Sequence, residues 1–365
     1  MGLWVVVGGQ FGSEGKGKVS AFVAIQEKID ICVRCGGTNS GHSFVADNGT
    51  NIVLRQLPTG FISPTSRLLL PAGALIDIEV LQQEIEMLRI DPVRIGVDRN
   101  ALIVESVDRE REAALRLRDR ISSTLSGVGS AVSRRVLRGA DVRLFKDVVD
   151  THAWLRPLLT DVAAETNATL QAGGKVLIEG TQGFGLSLYH SPYYPHATSR
   201  DTTAAGFLSE VGVSPTAVTE VILVLRTFPI RVAGEQAGPM SAEIAWNKIQ
   251  EESGYPHELG EYTTVTRKLR RVSRFDWDLA RRAVAANGPT RIALTGLDYL
   301  NYANRGVMTW EALDSSAINF ATRVETELGL AIGYLGTGPA LKEMFIRSTP
   351  SLDPCRLMDY SSSTI

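Results

Sequence analysis

The chain has 365 residues and an ordinary globular composition, with 44% hydrophobic and 21% charged residues. Such a chain can bury a large core, which excludes a disordered or coiled-coil protein. The 38 lysine and arginine residues nearly balance the 40 aspartate and glutamate residues, giving a net charge of −2. This balance argues against a nucleic-acid or membrane partner, and it requires any bound phosphate to be held by local groups.

No segment has the roughly 20 continuous apolar residues of a membrane helix. The apolar run of residues 68–78 is interrupted by Pro71 and Gly73. The first residues lack the basic segment of a signal peptide. A cytoplasmic location is therefore expected. Cys32 and Cys35 lie on an apolar strand and face opposite sides, which favours buried thiols over a metal or redox site.

Short runs of aliphatic and β-branched residues alternate with longer segments of helical periodicity. Strands are predicted at Trp4–Val7, Lys175–Ile178, Glu220–Leu225 and Arg291–Thr295. Helices are predicted at Gly17–Glu27, Glu79–Arg89, Trp154–Ala172 and Asp276–Asn287. The alternation favours an α/β fold with a largely parallel sheet. Because no linker or repeat is visible, residues 1–365 are expected to form a single domain with insertions.

The first predicted strand leads into a glycine-rich loop and then a helix, through GGQFGSEGKGK at residues 8–18. This order of elements directs backbone N–H groups at a phosphate. The loop is not a Walker A motif, because five residues separate Gly9 from Gly15 and a glycine follows Lys16. Two lysines within the loop of a nearly neutral chain favour phosphate binding over a structural turn.

Two further polar loops carry candidate functional side chains. The loop GGTNSGH at residues 36–42 ends at His42, whose imidazole could donate to a developing phosphate charge; a histidine satisfied by the backbone is the alternative. The strand at residues 175–178 leads to Gln182, which has a donor and an acceptor for a base edge. Thr198 offers a hydroxyl to phosphate, although a polar hairpin is the alternative for this segment.

The densest basic cluster spans Thr263 to Arg271. The neutral overall charge and the preceding threonines favour a small polyanion, because arginine binds carboxylate and phosphate bidentately. Asp298 follows the strand at residues 291–295 and can accept from guanine N1–H and N2–H; a helix cap is the equally supported alternative. Residues 336–339 add a tight glycine turn.

Taken in order from Gly8 to Pro339, these segments resemble adenylosuccinate synthetase, the ligase that joins aspartate to C6 of a purine nucleotide through a 6-phosphoryl intermediate. The segments LPTG at residues 57–60, STLSGVG at 123–129 and TSRDTTAAG at 198–206 share the resemblance. It implies a P-loop-like, GTPase-related α/β ligase fold, with a large mostly parallel central sheet, flanking helices and inserted subdomains. It also implies a homodimer, Mg²⁺, L-aspartate, and ATP or GTP.

The sequence departs from the family at residue 13. The family loop reads G-D-E-G-K-G-K, and its aspartate takes the N1 proton of IMP and ligates Mg²⁺, whereas this chain has Ser13. A serine is a poor base at neutral pH, although its hydroxyl can still ligate Mg²⁺. Loss of the carboxylate also leaves room for a 2-amino group on the purine.

Ser13, together with residues 10–12 and 264–268, resembles the bacteriophage branch of the family, 2-amino-2′-deoxyadenylosuccinate synthetase (PurZ type). That branch makes the precursor of 2-aminoadenine for DNA from dGMP, aspartate and a nucleoside triphosphate. The first expectation is therefore a C–N ligase acting on dGMP. The alternatives are an enzyme acting on IMP with an altered base, and a non-catalytic nucleotide-binding paralogue.

The resemblance implies the roles of the reacting groups. The catalytic residues would be Ser13, Lys16, His42 and Gln182. Lys16 and the loop amides would cradle the transferred phosphate, and His42 would stabilise charge on the leaving diphosphate oxygen. Ser13 and the Gly41 carbonyl would hold Mg²⁺.

The remaining residues implied by the resemblance bind the substrates. Nucleotides would contact Gly12, Glu14, Gly15, Gly17, Lys18, Asn39, Thr124, Arg134, Thr198, Arg270, Asp298 and Gly338. L-Aspartate would contact Thr264, Val265, Thr266, Arg267 and Lys268. Arg134 would cross a two-fold dimer interface into the partner's site. Gly296 replaces the family lysine that stacks on the triphosphate base, so the sequence leaves ATP and GTP both open.

Overall fold

The structure is a computed structural model that describes residues 2–263 and 268–347. Its strands are β1 (Gly2–Gly8), β2 (Ile31–Arg34), β3 (His42–Val45), β4 (Asn51–Leu54), β5 (Arg67–Leu70), β6 (Leu75–Ile76), β7 (Ile95–Asp98), β8 (Leu102–Ile103), β9 (Leu159–Thr160), β10 (Lys175–Glu179), β11 (Glu220–Arg226), β12 (Ile230–Arg231), β13 (Glu243–Ile244), β14 (Arg271–Ser273), β15 (Arg291–Thr295), β16 (Ile332–Gly336) and β17 (Met344–Ile346). Its α-helices are α1 (Lys16–Gln26), α2 (Ile78–Leu88), α3 (Ser106–Ala114), α4 (Leu117–Ile121), α5 (Val128–Leu137), α6 (Phe145–Val148), α7 (Val162–Gln171), α8 (Ala204–Val211), α9 (Trp246–Ser253), α10 (Trp277–Asn287) and α11 (Ser315–Leu328).

A 10-stranded sheet forms the centre of the fold, in the order β17, β16, β15, β11, β1, β10, β2, β5, β7 and β9. Neighbouring strands are parallel throughout, except that β17 runs antiparallel to β16 at one edge. The prediction of an α/β fold with a large, mostly parallel sheet is confirmed. Because parallel strands end on the same side, the loops after β1, β2, β10, β11, β15 and β16 meet along one edge.

Both faces of the sheet are covered, as the alternation of side chains along β1 shows. Leu3, Val5 and Val7 pack into one core with α7, α8, α10 and α11. Trp4 and Val6 pack into a second core with α1, α2 and α6. Successive side chains of a strand point to opposite faces, so an apolar strand such as β1 contributes to both cores. The packing holds the strands rigid behind the loops at their carboxyl ends.

Two smaller apolar clusters lie outside the main cores. One joins the three-stranded sheet of β12, β13 and β14 to α9 around Ile230, Trp246 and Val272. The other joins β6 and β8 to α5 around Leu102 and Val128. We identify these two clusters with the insertions that the sequence led us to expect. The assignment of residues 1–365 to a single domain stays a prediction.

The predicted strands on β1, β10, β11 and β15 are confirmed, and so are the helices at α1, α2 and α10. The predicted helix over Trp154–Ala172 is wrong in its first part. Residues 153–158 form a 3₁₀ turn that contains Pro157, and β9 follows it. Proline lacks the N–H that a helix interior requires. Helix α7 begins only after Asp161, whose carboxylate accepts from the Ala164 N–H at 2.9 Å as an N-cap.

The prediction that two cysteines at the second strand are buried thiols is confirmed. Cys32 and Cys35 are buried and unbridged, and burial raises the pKa of both thiols. Within residues 2–263 and 268–347, no group of three or more histidine, cysteine or acidic side chains could hold a metal ion. No helix in this part of the chain is long and apolar enough to cross a membrane.

Candidate functional site

The carboxyl edge of the central sheet collects most of the segments that the sequence singled out. The glycine-rich loop of residues 8–18, hereafter the phosphate loop, follows β1. Hydrogen bonds join it to segments that lie far away in the sequence. Thr295 Oγ1 at the end of β15 donates to the Glu14 carbonyl at 2.6 Å, and Thr59 Oγ1 donates to the Gly17 carbonyl at 2.8 Å. The phosphate loop is therefore fixed from both sides.

Glu14 shapes the phosphate loop from inside. Its Oε1 accepts from the N–H groups of Gln10 and Gly12 at 3.1 and 2.8 Å, and its Oε2 accepts from Lys16 Nζ at 2.6 Å. Both side chains are buried. Both carboxylate oxygens of Glu14 are used within the loop, and the expected contact of this residue with the nucleotide stays a prediction. The carboxylate positions the Lys16 ammonium.

Two glycines let the loop turn into helix α1 beside the histidine. Gly15 precedes α1 with φ of 97°, a left-handed conformation that favours glycine. A Cβ on Gly17 would lie 2.7 Å from the Cβ of His42, so only glycine allows this close approach. The first turn of α1 carries neither an acidic residue nor a side-chain cap. Its free N–H groups suit an anion next to His42.

Lys18 is the second lysine of the loop, and it is buried. Its Nζ donates to the Gly338 carbonyl at 2.5 Å, which brings together two residues expected to bind nucleotide. Burial lowers the pKa of Lys18 to about 8, while the nearby charges of Asp298 and Glu343 act in the opposite direction. A phosphate beside this ammonium would favour its charged form.

His42 belongs to a buried cluster with Glu179 and Arg34. Its Nδ1 lies 2.5 Å from Glu179 Oε1, and Arg34 Nη1 lies 2.5 Å from the same oxygen. Arg34 Nη1 also contacts the imidazole. Burial first, and then the charge of Arg34, lowers the pKa of His42 to about 3. His42 Nε2 is buried and has no hydrogen-bond partner among the described residues.

Two other predicted side chains also present buried polar atoms. Gln182 Oε1 and Thr198 Oγ1 have no partner among residues 2–263 and 268–347. Gln182 has a φ of 55°, a left-handed conformation that residues other than glycine rarely adopt. A buried polar atom without a partner costs about 1–3 kcal/mol, so these atoms are suited to accept or donate to a substrate.

Thr124 and Asn39 are less enclosed. Thr124 is exposed, and its hydroxyl lies 2.8 Å from Ser126 Oγ. Asn39 is half-buried in the loop after β2. The segment that carries Thr124 runs into α5, where a Cβ on Gly129 would lie 3.6 Å from the Cβ of Ser199. The two stretches expected to bind the nucleotide phosphate, residues 123–129 and 198–206, are therefore neighbours.

Ser13 lies between two arginines. Arg226 Nη1 donates to the Ser13 carbonyl at 2.8 Å, and Arg270 Nη1 contacts Ser13 Oγ. Arg226 also pairs with Glu261, with 2.6 Å between Nη2 and Oε1. Ser13 has a left-handed φ of 58°. Position 13 therefore has a guanidinium on each side, and the serine brings no carboxylate to neutralise them.

The implied Mg²⁺ can be tested against the donors present. Ser13 Oγ and the Gly41 carbonyl are oxygen ligands of the kind that Mg²⁺ prefers, and a serine hydroxyl serves in this way in phosphate loops. Both donors are neutral, so the charge that holds Mg²⁺ would come from substrate phosphates. Arg270 Nη1 contacts Ser13 Oγ and Arg226 Nη1 donates to the Ser13 carbonyl, so the phosphates would also have to offset these two charges before Ser13 Oγ could ligate the ion.

Asp298 is already hydrogen-bonded within the chain. Tyr255 donates to Asp298 Oδ2 at 2.5 Å, and Arg305 Nη1 donates to the tyrosine oxygen at 2.7 Å. Burial raises the pKa of Asp298, which Tyr255 and Arg305 oppose. Recognition of guanine N1–H and N2–H uses both carboxylate oxygens. One of them is bound to protein in this arrangement.

The basic segment expected to bind aspartate is only partly described. Thr264, Val265, Thr266 and Arg267 lie outside the described residues. The ends of this segment pair with each other, since the Thr263 N–H donates to the Lys268 carbonyl at 2.9 Å and the Lys268 N–H donates to Thr263 Oγ1 at 3.0 Å. Lys268 is exposed. Arg270 contacts Ser13 Oγ, and its expected contact with the triphosphate stays a prediction.

Arg134 makes several contacts within its own chain. Its guanidinium makes two hydrogen bonds with Asp108, at 2.8 and 2.7 Å, and donates to the Asp141 carbonyl at 2.7 Å. The side chain is 4% exposed. These contacts hold the guanidinium within its own chain, and its expected role across a dimer interface stays a prediction. A homodimer stays a prediction.

Sequence reasoning missed four charged residues that organise this site: Arg34, Glu179, Arg226 and Glu261. Arg34, Glu179 and Arg226 are the last residues of β2, β10 and β11. Charged residues that end apolar parallel strands would have been a usable signal, since such strands end at the ligand-binding edge. Glu261 gave no comparable signal, because its role depends on contact with Arg226.

The parallel sheet, the phosphate loop and the buried histidine together define a nucleotide-binding α/β enzyme. The family profile described as adenylosuccinate synthetase matches residues 5–150 and 140–305. Over 351 residues, the chain is 43% identical to the adenylosuccinate synthetase of Thermococcus onnurineus, covering 95% of this chain and 99% of that protein. For the enzyme of Pyrococcus horikoshii the identity is 41% over 347 residues, covering 94% and 98%. The chain belongs to the adenylosuccinate synthetase family and is a C–N ligase.

Solved structures agree on the fold. The fully ligated adenylosuccinate synthetase of Plasmodium falciparum superposes with a TM-score of 0.84 at 21% identity, covering 95% of this chain and all of that one. The succinoaminodeoxyadenylate synthetase (PurZ) of cyanophage S-2L, solved with dGMP and with dATP as an energy donor, superposes with a TM-score of 0.78 at 27% identity, covering 94% and 95%. The family assignment is confirmed, and these comparisons do not single out the PurZ branch.

Replacing Arg134 tests its internal role. Arg134→Ala leaves the buried Asp108 carboxylate without its partner, and we expect a loss of about 3–5 kcal/mol in the free energy of unfolding. Arg135→Ala is the matched control, because Arg135 donates only to the Ala72 carbonyl at 2.9 Å and should lose about 1 kcal/mol. Urea unfolding measures both. Equal losses, or activity restored by mixing Arg134→Ala with Lys16→Ala subunits, would contradict this role.

Lys18 should make stability depend on pH. Its pKa is about 8 in the folded chain and about 10.5 ordinarily, so between these values the unfolded chain binds more protons and the free energy of unfolding rises with pH. Relative to Lys18→Met, the wild-type chain should gain about 2 kcal/mol from pH 8 to 9.5. Urea unfolding at several pH values measures this difference. Parallel curves for the two proteins would show that burial does not lower the pKa of Lys18.

Proposed function

We propose that this chain uses a nucleoside triphosphate to phosphorylate O6 of IMP and then joins the amino group of L-aspartate to C6, releasing phosphate. The relatives named adenylosuccinate synthetase support IMP, since they match almost the full chain at 41–43% identity. The observation that carries the chemistry is the grouping of Lys16, His42 and Glu179 in buried contacts around the phosphate loop.

Each group has a task in this proposal. Lys16 and the N–H groups at the start of α1 would bind the transferred phosphoryl group. His42 Nε2 would face charge on the leaving diphosphate oxygen, and Gln182 Oε1 would bind the purine. Mg²⁺, held by Ser13 Oγ, the Gly41 carbonyl and the phosphates, would neutralise phosphate charge. These groups would also argue against a non-catalytic paralogue, because binding alone requires no group at the leaving oxygen.

A second candidate substrate, dGMP, has a specific observation in its favour. Residue 13 is a serine between Arg226 and Arg270, and no carboxylate of this residue would stand beside purine N1 and C2. The 2-amino group of guanine would therefore meet a small neutral side chain. The cyanophage S-2L enzyme, which was solved with dGMP, shares the fold at 27% identity. With dGMP the product would be 2-amino-2′-deoxyadenylosuccinate.

The donor base is a separate question. Gly296 would provide no cation to stack on the base, and Asp298 Oδ2 already accepts from Tyr255. A guanine would share Asp298 Oδ2 with this tyrosine, whereas adenine has no N1–H to place there. We therefore propose that ATP serves as donor as well as GTP. The L-aspartate would bind in the segment of residues 264–268.

An assay of phosphate release tests the proposal on the wild-type protein. IMP, dGMP and GMP are each supplied with ATP or GTP, with and without L-aspartate. We expect release only when aspartate and an acceptor nucleotide are both present, because phosphoryl transfer should require the assembled site. A higher kcat/KM for IMP supports the first substrate, and a higher value for dGMP supports the second. Release without aspartate, or none with any acceptor, would refute the proposal.

Ser13→Asp tests what residue 13 selects. The new carboxylate would lie between two guanidinium groups, which would keep it ionised beside purine N1. It adds a possible base for IMP and crowds the 2-amino group of dGMP. A badly paired buried polar group costs about 1–3 kcal/mol, so the ratio of kcat/KM for dGMP to that for IMP should fall about 5- to 150-fold.

The control for this variant is Ser13→Ala, which removes the hydroxyl without adding a carboxylate and should leave the ratio near that of the wild type. Both ratios come from initial rates with the two acceptors at a fixed donor concentration. If Ser13→Asp keeps the wild-type ratio, residue 13 does not select the purine.

A further inference from the structure

Glu179 accepts hydrogen bonds at both oxygens from three segments of the chain. Oε1 accepts from Arg34 Nη1 and faces His42 Nδ1, each at 2.5 Å. Oε2 accepts from the N–H and the hydroxyl of Thr59, each at 2.8 Å. The carboxylate is 1% exposed. Burial acts to raise the pKa of Glu179, but the charge of Arg34 and the hydrogen bonds from His42 and Thr59 outweigh it and lower the pKa, so the carboxylate is ionised.

This contact decides where the proton of His42 lies. An unprotonated Nδ1 at 2.5 Å from a carboxylate oxygen would place two lone pairs against each other, so a proton must lie between them. Arg34 Nη1 can only donate and also contacts this Nδ1, but it has Glu179 Oε1 as an acceptor, and one ionised carboxylate oxygen can accept from both the guanidinium and the imidazole N–H. The ring therefore carries its proton on Nδ1. Its other nitrogen, Nε2, is the buried atom that no described residue contacts.

We propose that Glu179 is a positioning residue: it holds His42 in the Nδ1–H tautomer and so directs Nε2 toward the substrate phosphates. The unprotonated Nε2 can only accept, so it takes up a proton when the phosphates bind and then donates to the charged oxygen, while Glu179 stabilises the imidazolium. This inference rests on the proposed function for the role of Nε2, but the tautomer itself does not. Thr59 extends the same arrangement, since its hydroxyl lies 2.8 Å from both Glu179 Oε2 and the Gly17 carbonyl of α1 and can donate to either. One carboxylate thus aligns the imidazole with the start of the phosphate-binding helix.

Glutamine cannot replace this glutamate without reversing one contact. A glutamine side chain has one oxygen, which accepts, and one NH₂ group, which donates. Its NH₂ group would face either Arg34 and His42 or the Thr59 N–H, and these groups are themselves donors. In a serine protease, the comparable change from aspartate to asparagine imposes the wrong tautomer and lowers kcat about 10⁴-fold. For Glu179→Gln we expect kcat to fall by about 10²-fold or more, with KM for the acceptor nucleotide changed less than about threefold.

The matched control is Glu84→Gln. Glu84 is also a buried glutamate that accepts several backbone N–H groups, from residues 55–57, but it has no contact with His42. This variant should lower thermal stability without changing the tautomer. A fall in kcat of similar size in both variants would show that Glu179 acts only through stability, and would overturn the proposal.

Nitrogen-15 NMR of histidine-labelled protein reads the tautomer without any assay of activity. In the wild-type chain we expect His42 to show a protonated Nδ1 and an unprotonated Nε2, assigned by the signals that His42→Asn loses. A bare Nδ1 in the wild type would refute the proposal even if Glu179→Gln does not fold. If the tautomer is as expected and no acceptor is turned over, the proposed function fails while the positioning role stands.

Discussion

Parallel strand pairing is the constraint on which this site depends. Because β1, β10 and β11 pair in parallel in the middle of the sheet, Gly8, Glu179 and Arg226 all arrive at the same edge. Two helical layers bury both faces and leave that edge to the loops. The phosphate loop is then held from three sides by side chains that come from distant parts of the chain. A site of this kind needs no rearrangement of the strands to bring its groups together.

The sequence predicted the loops and strands that consecutive residues form, and it missed the contacts between residues that are distant along the chain. The phosphate loop, its lysines and the strands around it are readable because consecutive residues carry the pattern. The partner of His42 lies 137 residues away, and Arg226 reaches Ser13 across 213 residues, so no spacing in the sequence encodes these contacts. The contact between Arg134 and Asp108 was missed for the same reason, since it depends on how α3 packs against α5. Pro157, by contrast, was a visible signal against a continuous helix.

The substitution at residue 13 changes the charge of the site more than its shape. Ser13 keeps the left-handed backbone that the loop requires. Arg226 has Glu261 as a counter-ion, and Tyr299 donates to the same carboxylate at 3.0 Å. Burial lowers the pKa of Arg270, and the charge of Glu261 opposes that effect. An aspartate at residue 13 would add one negative charge between two guanidinium groups, so the serine leaves this corner more attractive to anions.

The carboxylates of the site are already paired, and this bears on the fate of the purine N1 proton. Among the described residues, Glu14 binds Lys16, Glu179 binds Arg34, and Glu261 binds Arg226. A carboxylate held by a cation is a weak base, because the cation stabilises its ionised form. Separating a buried pair to free a base costs about 3–5 kcal/mol, which by itself would slow a reaction by more than 10²-fold. With a serine at residue 13, we therefore expect a phosphate of the substrates, rather than a carboxylate of the protein, to accept the purine N1 proton.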